Sequence, residues 1–166
     1  MKIIIYLCDF EYFNSYTSSR LSIPLNVGYI ASYTQQLYGK ECEIVIFKNA
    51  NKLIERAKHA PPHILGMSCY LWNLNLDIFV AEQVKKINPE CIIVVGGWNI
   101  DSDSNIQLEL YKRFYGNANI LIANEGEIGF ANVVGKYLSS TNKNIYEDSL
   151  IIIMSDHGVS FDENIF

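Results

Sequence analysis

His63-Ile64-Leu65-Gly66-Met67 runs directly into Ser68-Cys69-Tyr70, and the same arrangement returns twice more. Cys91–Val95 leads into Gly96-Gly97, and Ile120–Ala123 is followed by Glu125-Gly126-Glu127. Short continuous apolar runs read as strands covered on both faces, the usual composition of a parallel sheet. In an open parallel sheet, the segments leaving such strands gather at one carboxyl edge, where doubly wound folds bind ligands. Small residues at that edge let a bulky ligand come close to the backbone. The three exits predict a rim that holds a large flat molecule, and no obvious catalytic nucleophile accompanies it.

Working outward, Lys2–Cys8 is another continuous apolar run, followed by a polar, aromatic-rich loop from Asp9 to Ser22. Pro24 suits the first turn of a helix, with Ser22 nearby as a cap. Val27, Ile30, Ala31, Leu37 and Tyr38 recur at helical spacing, Thr34 shares their face, and Gly39 marks the stop. Cys42–Phe47 reads as a strand and Ala50–Lys58 as a short helix ended by Pro61-Pro62. A helix over Leu74–Ile87 carries its buried stripe on Leu74, Ile78, Ala81, Val84 and Ile87. Asp101, Ser102, Asp103 and Ser104 cap a helix reaching Phe114, and Ile128–Leu138 is the last clear helix. Five strands alternating with five helices imply an α/β, doubly wound, flavodoxin-like (Rossmann-like) fold. Its five-stranded parallel sheet takes the order 2-1-3-4-5 with helices on both faces. Asn142–Asn144 reads as a linker, and Ser149–Met154 as one extra strand-like run.

The composition is that of a globular chain able to build a core without disulfides: 166 residues, 49% hydrophobic and 19% charged. A net charge of -5, with no basic run longer than Lys85-Lys86, argues against nucleic acid as partner. No apolar stretch approaches membrane-spanning length, and a cytoplasmic location is the expectation. Cys8, Cys42 and Cys91 lie in or beside strands, where thiols pack as small hydrophobes, whereas Cys69 falls in the predicted ligand-facing loop. His59 and His63 flank Pro61-Pro62 and read as a surface pair on the opposite sheet edge.

Four stretches together resemble the cobalamin-binding domain found ahead of radical S-adenosylmethionine cores. They are Pro24-Leu25-Asn26-Val27-Gly28-Tyr29, Leu65–Asn73, Val94-Val95-Gly96-Gly97 and Glu125-Gly126-Glu127. The resemblance covers roughly residues 1–135; it implies a cobalamin-binding unit over residues 1–138, with a linker and tail over 139–166. The related vitamin B12 domain of methionine synthase and the mutases carries Asp-x-His-x-x-Gly, then Ser-x-Leu, then Gly-Gly. Aligning its glycine with Gly28 puts Ile23 at the aspartate position and Leu25 at the histidine position. Leu25 has no lone pair for cobalt, so the resemblance implies a base-off cofactor without a protein histidine ligand. The cofactor-binding set it implies is Leu25, Gly28, Ser68, Tyr70, Trp72, Asn73, Gly96, Gly97, Trp98, Glu125, Gly126 and Glu127. Within it, Ser68 would bond the nucleotide tail, the glycines would admit it, and Tyr70 and Trp72 would offer flat surface. Asn73 and Asn99 would bond the corrin amides. Other roles stand beside these: Ser68 and Asn73 suit a helix cap, Trp72 an edge of the core, and Glu125 and Glu127 a helix start.

No Cys-x-x-x-Cys-x-x-Cys run is present to hold an iron–sulfur cluster. The expectation is therefore the cofactor-carrying part of a methyltransferase-like enzyme, served by a radical S-adenosylmethionine catalytic domain or partner protein. The tail resembles something else: Tyr146–Gly158, with Phe161-Asp162-Glu163-Asn164, is similar to part of the sulfatase and phosphoethanolamine-transferase family. Asp156 and His157 match metal-ligand positions there, although a zinc centre needs three or four ligands. The remaining alternatives are a ligand-free protein-interaction domain and a flavin-binding domain. The flavin reading rests on the hydroxyl-rich Ser15-Tyr16-Thr17-Ser18-Ser19, which lies late and lacks glycine. A phosphate-accepting receiver would need aspartate where Met67-Ser68 stands.

Overall fold

The computed structural model describes residues 2–11, 23–97, 100, 103–123 and 125–140, together with the backbone of 151–154. The strands are β1 Ile3–Cys8, β2 Cys42–Phe47, β3 Ile64–Ser68, β4 Ile92–Gly96, β5 Ile120–Ala123 and β6 Ile151–Met154. They form one sheet in the order β2-β1-β3-β4-β5-β6, every neighbouring pair parallel. The first five strands keep the expected 2-1-3-4-5 order. The extra apolar run joins them as a sixth strand beside β5, where no strand order had been assigned to it.

The helices are α1 Leu25–Tyr38, α2 Ala50–His59, α3 Leu74–Ile87, α4 Ser104–Arg113 and α5 Gly126–Ser139. Because side chains alternate across a strand, each central strand feeds two cores. Tyr6, Cys8, Leu65, Met67, Ile93, Val95 and Leu121 pack with α2, α3 and α4 on one face. Ile5, Leu7, Ile64, Val94, Ile120 and Ile122 pack with α1 and α5 on the other. This division decides which helices frame the cleft described below, since a cavity opens along the strand ends on the α1/α5 side.

Several local readings shift. Helix α5 begins at Gly126 rather than Ile128, which brings Glu127 into its first turn. Asp103 alone accounts for the described start of α4, accepting from the Asn105 and Ile106 backbone N–H groups at 2.7 and 3.4 Å. On α3 the fully buried positions are Leu74, Asp77, Val80, Ala81 and Val84, with Ile78 and Ile87 only partly buried. Periodicity could not reveal that an aspartate occupies the buried stripe.

His63 is half-buried instead of lying on the surface: its Nδ1 accepts from the Ile4 backbone N–H at 2.9 Å. Cys69 turns away from the expected ligand side into the α2/α3/α4 core, completely buried. All four cysteines are buried and none forms a disulfide. Burial pushes the Cys91 thiol up to about 12 and Cys42 up to about 11, so both stay protonated and unreactive near neutrality.

Candidate functional site

The β3–β4 register sets Ser68 beside Gly96, and the chain then holds the two exits together. The Cys69 backbone N–H donates to the Gly96 carbonyl at 2.7 Å. Gly97 follows at φ +106, where a Cβ would come within 2.9 Å of the Cys69 carbonyl oxygen. Only glycine fits both demands.

Behind this junction lies a cavity of about 220 Å³ between the sheet and helices α1 and α5. Leu7, Gly66 and Val94 form part of its sheet wall, Val27, Ile30 and Phe130 contribute from the helices, and Ile122 closes one side. Its polar lining consists of Asn26, Ser68, Tyr70, Glu125 and Glu127. Among the described residues, no lysine, arginine or histidine lines it. A pocket enclosing a whole drug-sized ligand runs to about 300–1,000 Å³. This slot is therefore sized for one arm of a larger molecule.

Asn26 ties the mouth together. Its Nδ2 donates to Ser68 Oγ at 2.6 Å and to Tyr70 Oη at 2.9 Å, while its Oδ1 accepts from the Val27 N–H at 2.8 Å. Both hydroxyls accept from α1, which leaves their O–H hydrogens to donate elsewhere. Asp9 follows β1 beside Asn26; burial raises its carboxyl above the usual range, although the Asn26 amide and the Lys48 charge act to lower it.

Tyr70 and Trp72 stack with ring centroids 4.5 Å apart and planes 8° from parallel. Trp72 is 61% exposed, so it is neither a core residue nor part of the slot lining. Asn73 is 3% exposed, and both ends of its amide hold the loop. Nδ2 donates to the Ser68 carbonyl at 2.8 Å, and Oδ1 accepts from the Tyr70 N–H at 2.7 Å. The Asn73 side chain neither lines the slot nor caps α3. Asn73→Ala would strand a buried carbonyl and an N–H, so a loss of about 1–3 kcal/mol is expected in urea unfolding. Asn73→Asp retains the acceptor for the Tyr70 N–H but sets a buried carboxylate oxygen against the Ser68 carbonyl, so it is expected to lose at least as much at neutral pH.

Ser68, Tyr70, Gly96, Gly97, Glu125, Gly126 and Glu127 all meet at the slot. Leu25 and Gly28 do not line it: Leu25 is 60% exposed at the start of α1, and nothing lies within 4 Å of where a Gly28 Cβ would stand. The α1 positions that do are Asn26, Val27 and Ile30. Their i, i+1, i+4 spacing was visible in the sequence, with Asn26 the one side-chain amide in the quoted stretch. Trp98, Asn99, Asp156 and His157 lie outside the described residues, as do Ser22, the Ser15–Ser19 stretch and the 142–144 linker. Among the described residues there is no group of three metal-ligating side chains, and no helix is long and apolar enough to cross a membrane.

No protein-family model matches the chain. It is similar to the cobalamin-dependent radical SAM methyltransferase TokK of Streptomyces tokunonensis, 32% identical over 78 residues. That match takes in 47% of this chain and 11% of the relative. A second relative is the 2-(S-pantetheinyl)-carbapenam-3-carboxylate methyltransferase of Streptantibioticus cattleyicolor, 25% identical over 116 residues. The match covers 68% of this chain and 16% of that enzyme, so the chain spans only a small part of either relative. Among solved structures, a CheY-like protein (TadZ) from Pseudomonas aeruginosa covers 83% of this chain with a TM-score of 0.57 and 12% identity. At that identity the likeness concerns the fold alone.

Proposed function

We propose that this chain is a cobalamin-binding module that holds its cofactor base-off, without a histidine ligand. In this reading it is the cofactor-carrying part of a radical S-adenosylmethionine methyltransferase-like system. The unit is assigned to residues 1–138, with 139–166 as linker and tail. The observation carrying the proposal is the slot, an apolar cleft with a hydrogen-bonding mouth, in a chain part of which is similar to a cobalamin-dependent radical SAM methyltransferase and to a second methyltransferase.

The lining fits one arm of such a ligand. Ser68 and Tyr70 offer hydroxyl donors, and Gly96 and Gly97 leave the entrance without side chains. Glu125 and Glu127 offer acceptors for neutral amides such as those around a corrin. Tyr70, Trp72 and, on sequence grounds, Trp98 supply flat surface at the rim. Leu25 stands in the histidine position, where its hydrocarbon side chain would leave the cobalt face unligated. When bound, cobalamin would supply a cobalt centre that carries a methyl group.

The test is retention of pigment. Protein mixed with hydroxocobalamin or methylcobalamin is expected to keep a corrin spectrum through gel filtration, while flavin mononucleotide washes away. A protein that emerges colourless under both oxidising and reducing conditions overturns the reading. That outcome would favour a protein-interaction domain instead. Its structural basis would be α1, whose Leu25, Tyr29, Tyr33 and Leu37 form an exposed apolar stripe at four-residue spacing on a helix without charged residues.

A further inference from the structure

We infer that the deep part of the slot discriminates among corrinoids by their tail base, accepting a hydrocarbon-edged benzimidazole and rejecting a purine. The inference rests on the cobalamin reading above. Its basis is the separation of polar and apolar groups along the cavity. Leu7, Val27, Ile30, Val94, Ile122 and Phe130 contribute no side-chain donor or acceptor. The strand backbone offers none either, because Leu7, Gly66 and Val94 are aligned across β1, β3 and β4 within the parallel ladder. At Gly66 in the wall there is no room for a side chain, since a Cβ would stand 2.7 Å from the Phe130 ring and 2.6 Å from Leu7 Cδ2. Among the described residues, side-chain polarity is confined to Asn26, Ser68, Tyr70, Glu125 and Glu127.

A ring nitrogen near the mouth can therefore accept from Ser68 in either base class, and it does not distinguish them. Discrimination falls on the far edge. The methyl groups of dimethylbenzimidazole would meet hydrocarbon, whereas the adenine amine and its neighbouring ring nitrogens would be buried without partners. Apolar pockets reject an added polar group by about 100-fold at best, and less when the group can tilt toward water.

The experiment titrates the protein, by corrin absorbance, with three ligands in their hydroxo forms: cobalamin, the otherwise identical corrinoid bearing adenine, and tail-less cobinamide. Cobalamin is expected to bind about 10- to 100-fold more tightly than the adenine form. Cobinamide, with nothing to place in the slot, is expected to bind less tightly than cobalamin. Val94→Thr, which sets a hydroxyl in the deep wall, is expected to narrow the cobalamin-to-adenine ratio. Affinities for the two tailed corrinoids within threefold of each other, or tighter binding of the adenine form, overturn the inference and leave the functional reading intact. Failure of all three to bind overturns both. The comparison in the unaltered protein decides the matter by itself if Val94→Thr does not fold.

Discussion

Replacing Asp77 with asparagine is expected to flatten the dependence of unfolding free energy on pH between 3.8 and about 8. Asp77 is wholly buried on α3, and neither carboxyl oxygen meets a well-formed hydrogen bond. Burial raises its pKa to about 8; the Cys69 thiol, a weak donor, lowers it, and the nearby Asp9 charge adds to the rise. Cys8 faces the same group and is itself pushed well up by burial, and among the described residues no cation acts on Asp77. The folded chain therefore keeps a proton that the unfolded chain releases above pH 3.8. Stability from this residue is fully present below that pH and falls by about 1.4 kcal/mol per unit until the folded group also ionises. At pH 7 the accumulated loss is on the order of 4 kcal/mol. Asparagine does not titrate, so its variant should lack this slope, although burying the amide adds a constant cost of about 1–3 kcal/mol. Urea denaturation of both proteins at several pH values reads the difference. Parallel stability curves across the window would show that Asp77 is not a buried, neutral acid.

The same residue shows where reading the chain stops. Strand order followed from apolar runs separated by helical stretches, because parallel neighbours require crossovers and burial on both faces. Those are properties of short segments and survive in a linear text. Asp77 occupies a stripe position whose burial depends on α3 packing over Cys8 and Cys69, a tertiary fact with no local signature. Cys69 likewise faced the wrong way in the sequence reading, because a one-residue step along an emerging strand reverses the side of the sheet.

The site was legible in part, for related reasons. Ser68, Gly96, Gly97 and the Glu125–Glu127 turn could be placed together because the carboxyl edge of a parallel sheet collects strand exits. Leu25 and Gly28 came from matching a motif rather than from a helix face, and the slot is reached through Asn26, Val27 and Ile30 instead. That Asn73 holds the loop could not be read from the letters, because an exposed amide and a loop-holding amide look alike until the hydrogen bonds to Ser68 and Tyr70 are seen.

Two glycines lining one cavity are expected to behave in opposite ways when enlarged. At Gly96 a Cβ would meet nothing closer than the Ile122 carbonyl oxygen at 3.8 Å, and the backbone is not in the left-handed region. Packing does not demand glycine there, and β-branched residues suit a strand end. Gly96→Val is therefore expected to keep the melting temperature within a few degrees, since about 1 kcal/mol shifts it by roughly 2–4 °C in a chain of this size. Its methyl groups would project into a cavity of only about 220 Å³, and corrinoid affinity is expected to fall 100-fold or more. Gly66 differs because its Cβ would overlap Leu7 and Phe130 in the core. Gly66→Ala is expected to destabilise by about 1–3 kcal/mol through overpacking. Thermal melts and corrin absorbance titrations on both variants separate the two roles. If Gly96→Val folds normally and binds cobalamin as tightly as the parent, the slot does not receive the ligand, and the tail must lie elsewhere on the rim.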